Sequence, residues 1–278
     1  MSRLPQPRRP AIAALLCALL LPGFVCAAAE VVAHRGASQD APENTLAAVK
    51  LGLEQGADAV EIDVHLSRDG KIVVLHDDDT KRTAGLDKKV ADQTLDELRG
   101  LDVGRFGPWQ GKGFSERIPT LDEVLALVPA GKRVFVEIKC GVEILPALEQ
   151  SLRGSRLSPY QTAIISFQYA VVEAAKRRFP DRRVYWLHGY DKDKKTGEFP
   201  RIEDLVRRAK EARLDGLNLN HQFPLDGAAV RRVKDTGLTC YVWTVDDPAK
   251  ARELVKAGVD GITTNRPGAL RRELERPR

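Results

Sequence analysis

Cysteine is scarce in this chain, with four among 278 residues. Two of them fall within the first 29 positions, and the other two, Cys140 and Cys240, lie just past one strand-like run and at the start of another. In a parallel arrangement those are opposite ends of the strands, too far apart for a bridge, so both thiols are expected to be free and Cys240 buried. A glycine-rich phosphate loop is missing after the first strand-like run, which weakens an open, doubly wound sheet. Basic residues are not gathered into a patch. The runs Lys192 to Lys195 and Arg207-Arg208 read as solvated faces, and nucleic-acid binding has no support.

No apolar run is comfortably long enough to span a membrane. The most apolar stretch, Ala11 to Val25, is interrupted by Pro22-Gly23. It follows a basic stretch with Arg3, Arg8 and Arg9 and precedes the small-residue run Ala27-Ala28-Ala29. That order reads as a secretory signal peptide over 1–29, with a retained anchor as the alternative. Gly23-Phe24-Val25 is a poor approach to a lipidated Cys26, and Pro10-Ala11 fits a twin-arginine route badly. Losing three arginines and no acids lowers the formal charge from +5 to +2, so the basic balance is partly an export signal. The mature chain, 30–278, is expected in the periplasm or secreted.

Within that chain, short apolar runs alternate with amphipathic segments. Strands are expected at 31–34, 59–64, 133–138, 162–166, 183–187, 216–219, 239–243 and 260–263. Helices are expected at 43–55, 121–128, 143–152, 169–178, 201–213, 225–236, 247–256 and 267–274. Eight alternations in one domain of this length predict an α/β fold, a single (β/α)8 TIM barrel. The rhythm breaks after the second strand. Arg68-Asp69-Gly70 signals a turn, giving a hairpin that returns His76 toward the barrel mouth, and 77–118 follows as an inserted loop region.

Carboxylates stand where buried strands normally carry Val or Leu. Glu61 and Asp63 share one face of their strand, and Glu137 and Lys139 share one face of theirs. Buried acids are costly unless paired or bound to a cation, so Glu61, Asp63 and Glu137 suggest a metal site; the alternative is a salt-bridge network at a sheet end. Oxygen-only ligation favours Ca²⁺ or Mg²⁺. His34 and His76 close apolar runs interleaved with these acids, and such a pair suits general acid and base work, although a strand-end histidine also serves structure alone. Arg35 suits phosphate oxygens or an ordinary salt bridge. His65 shares the acidic face but is expected to pack in the hairpin, and His188 and His221 are expected in loops. Trp243 points inward, as a substrate wall or as core. Helix capping and loop bracing account for Glu43 and Asn44.

His34-Arg35-Gly36, Pro42-Glu43-Asn44-Thr45, Glu61-Ile62-Asp63-Val64, His76-Asp77 and Glu137-Ile138-Lys139, in that order, resemble the signature of the glycerophosphodiester phosphodiesterases. Thr80, Arg82-Thr83, Thr94-Leu95, Ile118-Pro119-Thr120-Leu121 and the stretch from Gly258 to Pro267 extend the resemblance over about 31–270. Asn265 departs from it, standing where many members carry Asp, at a position outside the catalytic pattern. Together with the export segment and the acidic cluster this gives an exported, metal-dependent hydrolase, and the resemblance implies glycerol 3-phosphate and a free alcohol as its products. In this reading His34 and His76 are catalytic, and Glu61, Asp63 and Glu137 hold one divalent cation. Arg35, Lys139 and Trp243 bind the small-molecule substrate. The first nucleophile, a glycerol hydroxyl or water, stays open; the reach of the hairpin favours His76 as the acid. A lysophospholipase D using Phe106, Trp109 and Phe114 as an apolar groove, or a binding protein without turnover, are the alternatives.

Overall fold

The structure is a computed structural model that describes residues 29–276. Apart from Ala29, the predicted export segment lies outside the described residues. The strands are β1 (Glu30–Ala33), β2 (Ala59–Leu66), β3 (Ile72–Val74), β4 (Arg133–Ile138) and β5 (Thr162–Ser166), then β6 (Arg183–His188), β7 (Gly216–Asn220), β8 (Thr239–Trp243) and β9 (Gly261–Thr264). The helices are α1 (Leu46–Glu54), α2 (Lys81–Ala84), α3 (Leu95–Arg99), α4 (Leu121–Leu127) and α5 (Leu145–Gly154), then α6 (Tyr169–Arg178), α7 (Ile202–Glu211), α8 (Gly227–Lys234), α9 (Pro248–Ala257) and α10 (Pro267–Glu275).

Eight parallel strands run in the order β1-β9-β8-β7-β6-β5-β4-β2, and β2 pairs back onto β1 through Val32 and Ala59, closing the barrel. β3 stays outside the ring, antiparallel to β2, with Val64 opposite Val74. The predicted hairpin is therefore present. The two-residue period of each strand sorts its side chains. Val60, Ile62, Val64, Val134 and Val136 face the helices, in one cluster with Val49, Val124 and Leu148. Val32, Phe135, Ile165, Tyr185, Leu187 and Tyr241 fill the barrel interior. Gly261 makes room there, since a Cβ at that position would lie 2.4 Å from the Tyr241 ring. Below this layer Arg133 closes the lower end, 2.8 Å from Glu30 and within hydrogen-bond distance of the Tyr185 and Tyr241 hydroxyls.

The predicted first helix, 43–55, is too long. Asn44 has φ +58°, and the helix starts only after Thr45, whose hydroxyl caps the Ala48 amide. Residues 77–118 form a small structured region, not a bare loop, with its own core of Val73, Leu75, Val90, Leu98, Val103 and Ile118. Trp109 is buried against Phe114 at 5.3 Å, and Phe106 packs on Arg82. None of these three aromatics lines the cavity described below. His188 ends β6 instead of lying in a loop, with its ring edge-on to Trp186. Arg208 is not simply solvated, because its guanidinium stacks 4.1 Å from the Tyr169 ring. Cys140 and Cys240 are free, the latter buried.

Candidate active site

Near the C-terminal end of the barrel the inward faces of the strands gather acids, a lysine and histidines around one opening. A cavity of about 210 Å³ opens there, bounded by His34, Arg35, Glu61, His76, Glu137 and Lys139 on one side and by Phe167, Leu187, Asn218 and Trp243 on another. A larger cleft of about 1010 Å³ on the outer flank, near Leu125 and Gln150, contains none of these groups. Size alone does not mark the chemistry; the clustered charge does.

The turn after β1 is built for its neighbours. Arg35 and Gly36 both take positive φ, +55° and +78°. A side chain at position 36 would drive a Cβ to 2.3 Å from the Ala48 backbone, so glycine alone fits. This turn aims the Arg35 amide at Glu61, which accepts its hydrogen bond at 2.9 Å. Asn44 clasps Asp63 from both directions: its Nδ2 donates to the carboxylate at 2.8 Å, and its Oδ1 accepts from the Asp63 amide at 3.1 Å. Asn44 is thus more than a capping residue. Asparagine tolerates positive φ and carries both a donor and an acceptor, which suits it to this position.

Glu61, Asp63 and Glu137 converge, with one oxygen of each within 4.8 Å of the others. Their electrostatics are uneven. Burial and the charges of Asp63 and Glu137 push Glu61 well above the usual carboxylate range. Burial and Asp63 raise Glu137 to about 7, against the pull of Lys139. Burial acts on Asp63 as well, but Arg35 and Lys139 outweigh it and hold its carboxyl low. Lys139 Nζ lies 2.7 Å from Glu137 and 3.4 Å from Asp63. Glu61 Oε1 is buried with no hydrogen-bond partner. Three buried acids with one oxygen still unpaired fit a hard divalent cation, which would supply the missing positive charge.

The two histidines have different supports. His34 Nδ1 lies 2.7 Å from Asn265 Oδ1. The Asn265 amide is itself oriented by Asp246, which accepts from its Nδ2 at 2.6 Å and from its backbone N–H at 2.8 Å. This arrangement assigns the proton to His34 Nδ1 and leaves Nε2 bare, 4.0 Å from Glu61. Burial, aided by Arg35, pulls His34 down to about 4, so the ring is neutral near pH 7. Asn265, which looked incidental in sequence, therefore sets the histidine's tautomer. His76 Nδ1 instead meets a carboxylate, Asp77 Oδ1, at 2.7 Å. His65 is not among the clustered ligands; its Nε2 lies 3.2 Å from the His76 carbonyl and braces the hairpin end.

An ion-pair chain joins the segments that carry His34 and His76. Arg35 Nη1 donates to Glu43 at 2.9 Å. Arg82 grips Glu43 with both terminal nitrogens, at 3.0 and 2.8 Å, and Asp77 through Nε at 2.7 Å. Sequence reading assigned Glu43 to loop bracing and left Arg82 without a role. Its partner is 39 positions away, which no local pattern reveals. Trp243 faces inward as expected, donates through Nε1 to the Asn218 carbonyl at 3.1 Å, and meets Phe167 edge-on at 5.3 Å.

A closed (β/α)8 barrel with acids, histidines, an arginine and a lysine clustered at its C-terminal rim points to the class of phosphoric diester hydrolases. Comparison with known proteins agrees. The chain belongs to the glycerophosphoryl diester phosphodiesterase family, which it matches over residues 34–269. It is 35% identical over 249 residues to the glycerophosphodiester phosphodiesterase of Caldanaerobacter subterraneus, covering 86% of this chain and 95% of that one. It is 33% identical to the probable glycerophosphodiester phosphodiesterase 1 of Mycobacterium tuberculosis, covering 88% and 92%. Among solved structures, an Oleispira antarctica phosphodiesterase in complex with the product sn-glycerol-3-phosphate superposes with TM-score 0.79 at 29% identity, over 90% of this chain and 98% of that one.

Proposed function

We propose that the mature chain, 30–278, is an exported, metal-dependent enzyme that hydrolyses glycerophosphodiesters to glycerol 3-phosphate and a free alcohol. The observation that carries this reading is the meeting of three carboxylates, two histidines, Arg35 and Lys139 in one cavity of about 210 Å³. Glu61, Asp63 and Glu137 would hold Ca²⁺ or Mg²⁺, which when bound neutralises phosphate charge. Arg35 and Lys139 bind the remaining phosphate oxygens. Neutral His34, with Nε2 free, takes the proton from the attacking hydroxyl as the new P–O bond forms. His76, braced by Asp77, delivers a proton to the departing alkoxide as the old P–O bond breaks, since an aliphatic alkoxide leaves poorly without one. Trp243 and Phe167 give the carbons of the glycerol unit an apolar wall. The order of segments in 1–29 supports export to the periplasm or medium.

The size of the cavity and the internal packing of Trp109 on Phe114 disfavour the single-chain-lipid reading. Among the described residues no helix is long and apolar enough to cross a membrane. The test is to incubate the processed protein with glycerophosphocholine and with lysophosphatidylcholine and to measure choline. Release from the first alone supports the proposal. Release mainly from the second favours a lysophospholipase D, and release from neither with tight binding favours a binding protein.

A further inference from the structure

The site holds a buried amide that the reaction described above does not use. Asn218, in the middle of β7, is 1% exposed. Its Oδ1 is buried without a partner, and among the described residues its side-chain amide makes no hydrogen bond. It borders the active-site cavity, flanked in register by Leu187 and Tyr241, with Trp243 two pairs further up. The ring order puts β7 four places from β2, so Asn218 stands across the barrel from Glu61 and Asp63. The charged groups that suit a phosphate all lie on the far wall, and the rest of the cavity lining, Ile165, Phe167, Leu187, Trp243, Thr244 and Thr263, is uncharged.

A buried amide oxygen left without a donor is costly, and native proteins tolerate such a group mainly where something else completes it. An uncharged amide can use only its donor on a phosphate and only its acceptor toward a quaternary ammonium, but a hydroxyl, which both donates and accepts, matches both ends of it. We propose that Asn218 is a specificity residue that hydrogen-bonds a free hydroxyl of the glycerol unit, with Trp243 and Leu187 against its carbons. This rests on the phosphodiesterase reading and extends it to the glycerol side of the substrate.

Direct binding tests it without relying on turnover. The purified, Ca²⁺-supplemented enzyme is titrated calorimetrically with glycerol 3-phosphate and with propyl phosphate, which keeps the phosphate and carbon chain but has no free hydroxyl. The wild type is expected to prefer glycerol 3-phosphate by at least about tenfold, because a site built for a hydroxyl rejects the analogue lacking it. Asn218→Leu, close in shape, should weaken glycerol 3-phosphate binding by about 10- to 100-fold and leave propyl phosphate nearly unchanged. Its melting temperature should stay level or rise, since an unsatisfied buried amide has been removed. Asn218→Ala, which cannot overpack, should show the same loss of preference. Equal weakening of both ligands, an unchanged preference, or a fall in melting temperature in both variants overturns the inference. Failure of the wild type to bind glycerol 3-phosphate at all would instead count against the phosphodiesterase reading.

Discussion

Glu61 keeps one oxygen without a partner while Asp63 and Glu137 are drawn onto Arg35 and Lys139, so the triad is neutralised only in part. Glu61→Gln, Asp63→Asn and Glu137→Gln should each lower kcat/KM by about 10²-fold or more, the scale of removing one preorganised charge contact; steady-state kinetics with circular dichroism as a folding control checks this. The raised Glu137, near 7, and Glu61, higher than usual, hold protons that a cation must displace. Metal affinity should therefore rise with pH and fall as pH drops below about 7, by about tenfold per unit for each proton displaced. Titration of the chelated enzyme with Ca²⁺ at pH 6, 7 and 8 measures this, and an affinity flat in pH would contradict the assigned shifts. Gly36→Ala would place a methyl against the Ala48 backbone at φ +78°. The left-handed backbone alone costs about 1–2 kcal/mol, with the clash added, and denaturant unfolding should register it. The acids, histidines and Arg35 were legible as single residues because charge at the end of an apolar run is conspicuous. Asn44, Asn218 and Asn265 were not, since a neutral amide in a strand or turn carries no such contrast.

At the scale of elements, α2 is only four residues long, yet it contributes the arginine that ties the β1 turn to the end of β3. Removing that link leaves the carboxylates of Glu43 and Asp77 facing each other. Burial is already outweighed at Asp77 by Arg82 and His76, which hold it down to about 2. Arg82→Ala should lower kcat and raise KM together, by about 10- to 100-fold in the ratio, because both His76 and Arg35 lose their bracing. Arg82→Lys should recover little, since an ammonium cannot grip two carboxylates in a fork. In a Glu43→Gln, Asp77→Asn background the same change should add almost nothing, and additive losses would rule out the bridge. Elements of regular period were readable in sequence: β4, β5, β8 and α6 fall on the expected residues. The insertion was not, because its short helices are held by capping boxes such as Thr94 with Glu97 and by contacts with distant residues.

Across the whole molecule, the closed barrel separates stability from chemistry. Arg133, Glu30 and the two tyrosine hydroxyls fill the lower end, while the upper rim concentrates like charge. Eight alternations made the fold legible from sequence, and right-handed βα crossovers place every strand's C-terminal end on one rim. That is why motifs separated by more than a hundred positions converge. Which residues touch across the barrel, as Asn218 faces Glu61, depends on closure and strand order, which no single segment encodes.

The claim that a cation held by Glu61, Asp63 and Glu137 drives glycerophosphodiester hydrolysis is tested most directly by following glycerol 3-phosphate release from glycerophosphocholine by the processed enzyme before chelation, after exhaustive chelation, and after returning Ca²⁺ or Mg²⁺. Activity should vanish with the chelator, return with one of these ions in the wild type, and fail to return in Glu61→Gln. Undiminished release of glycerol 3-phosphate from the fully chelated enzyme would contradict it.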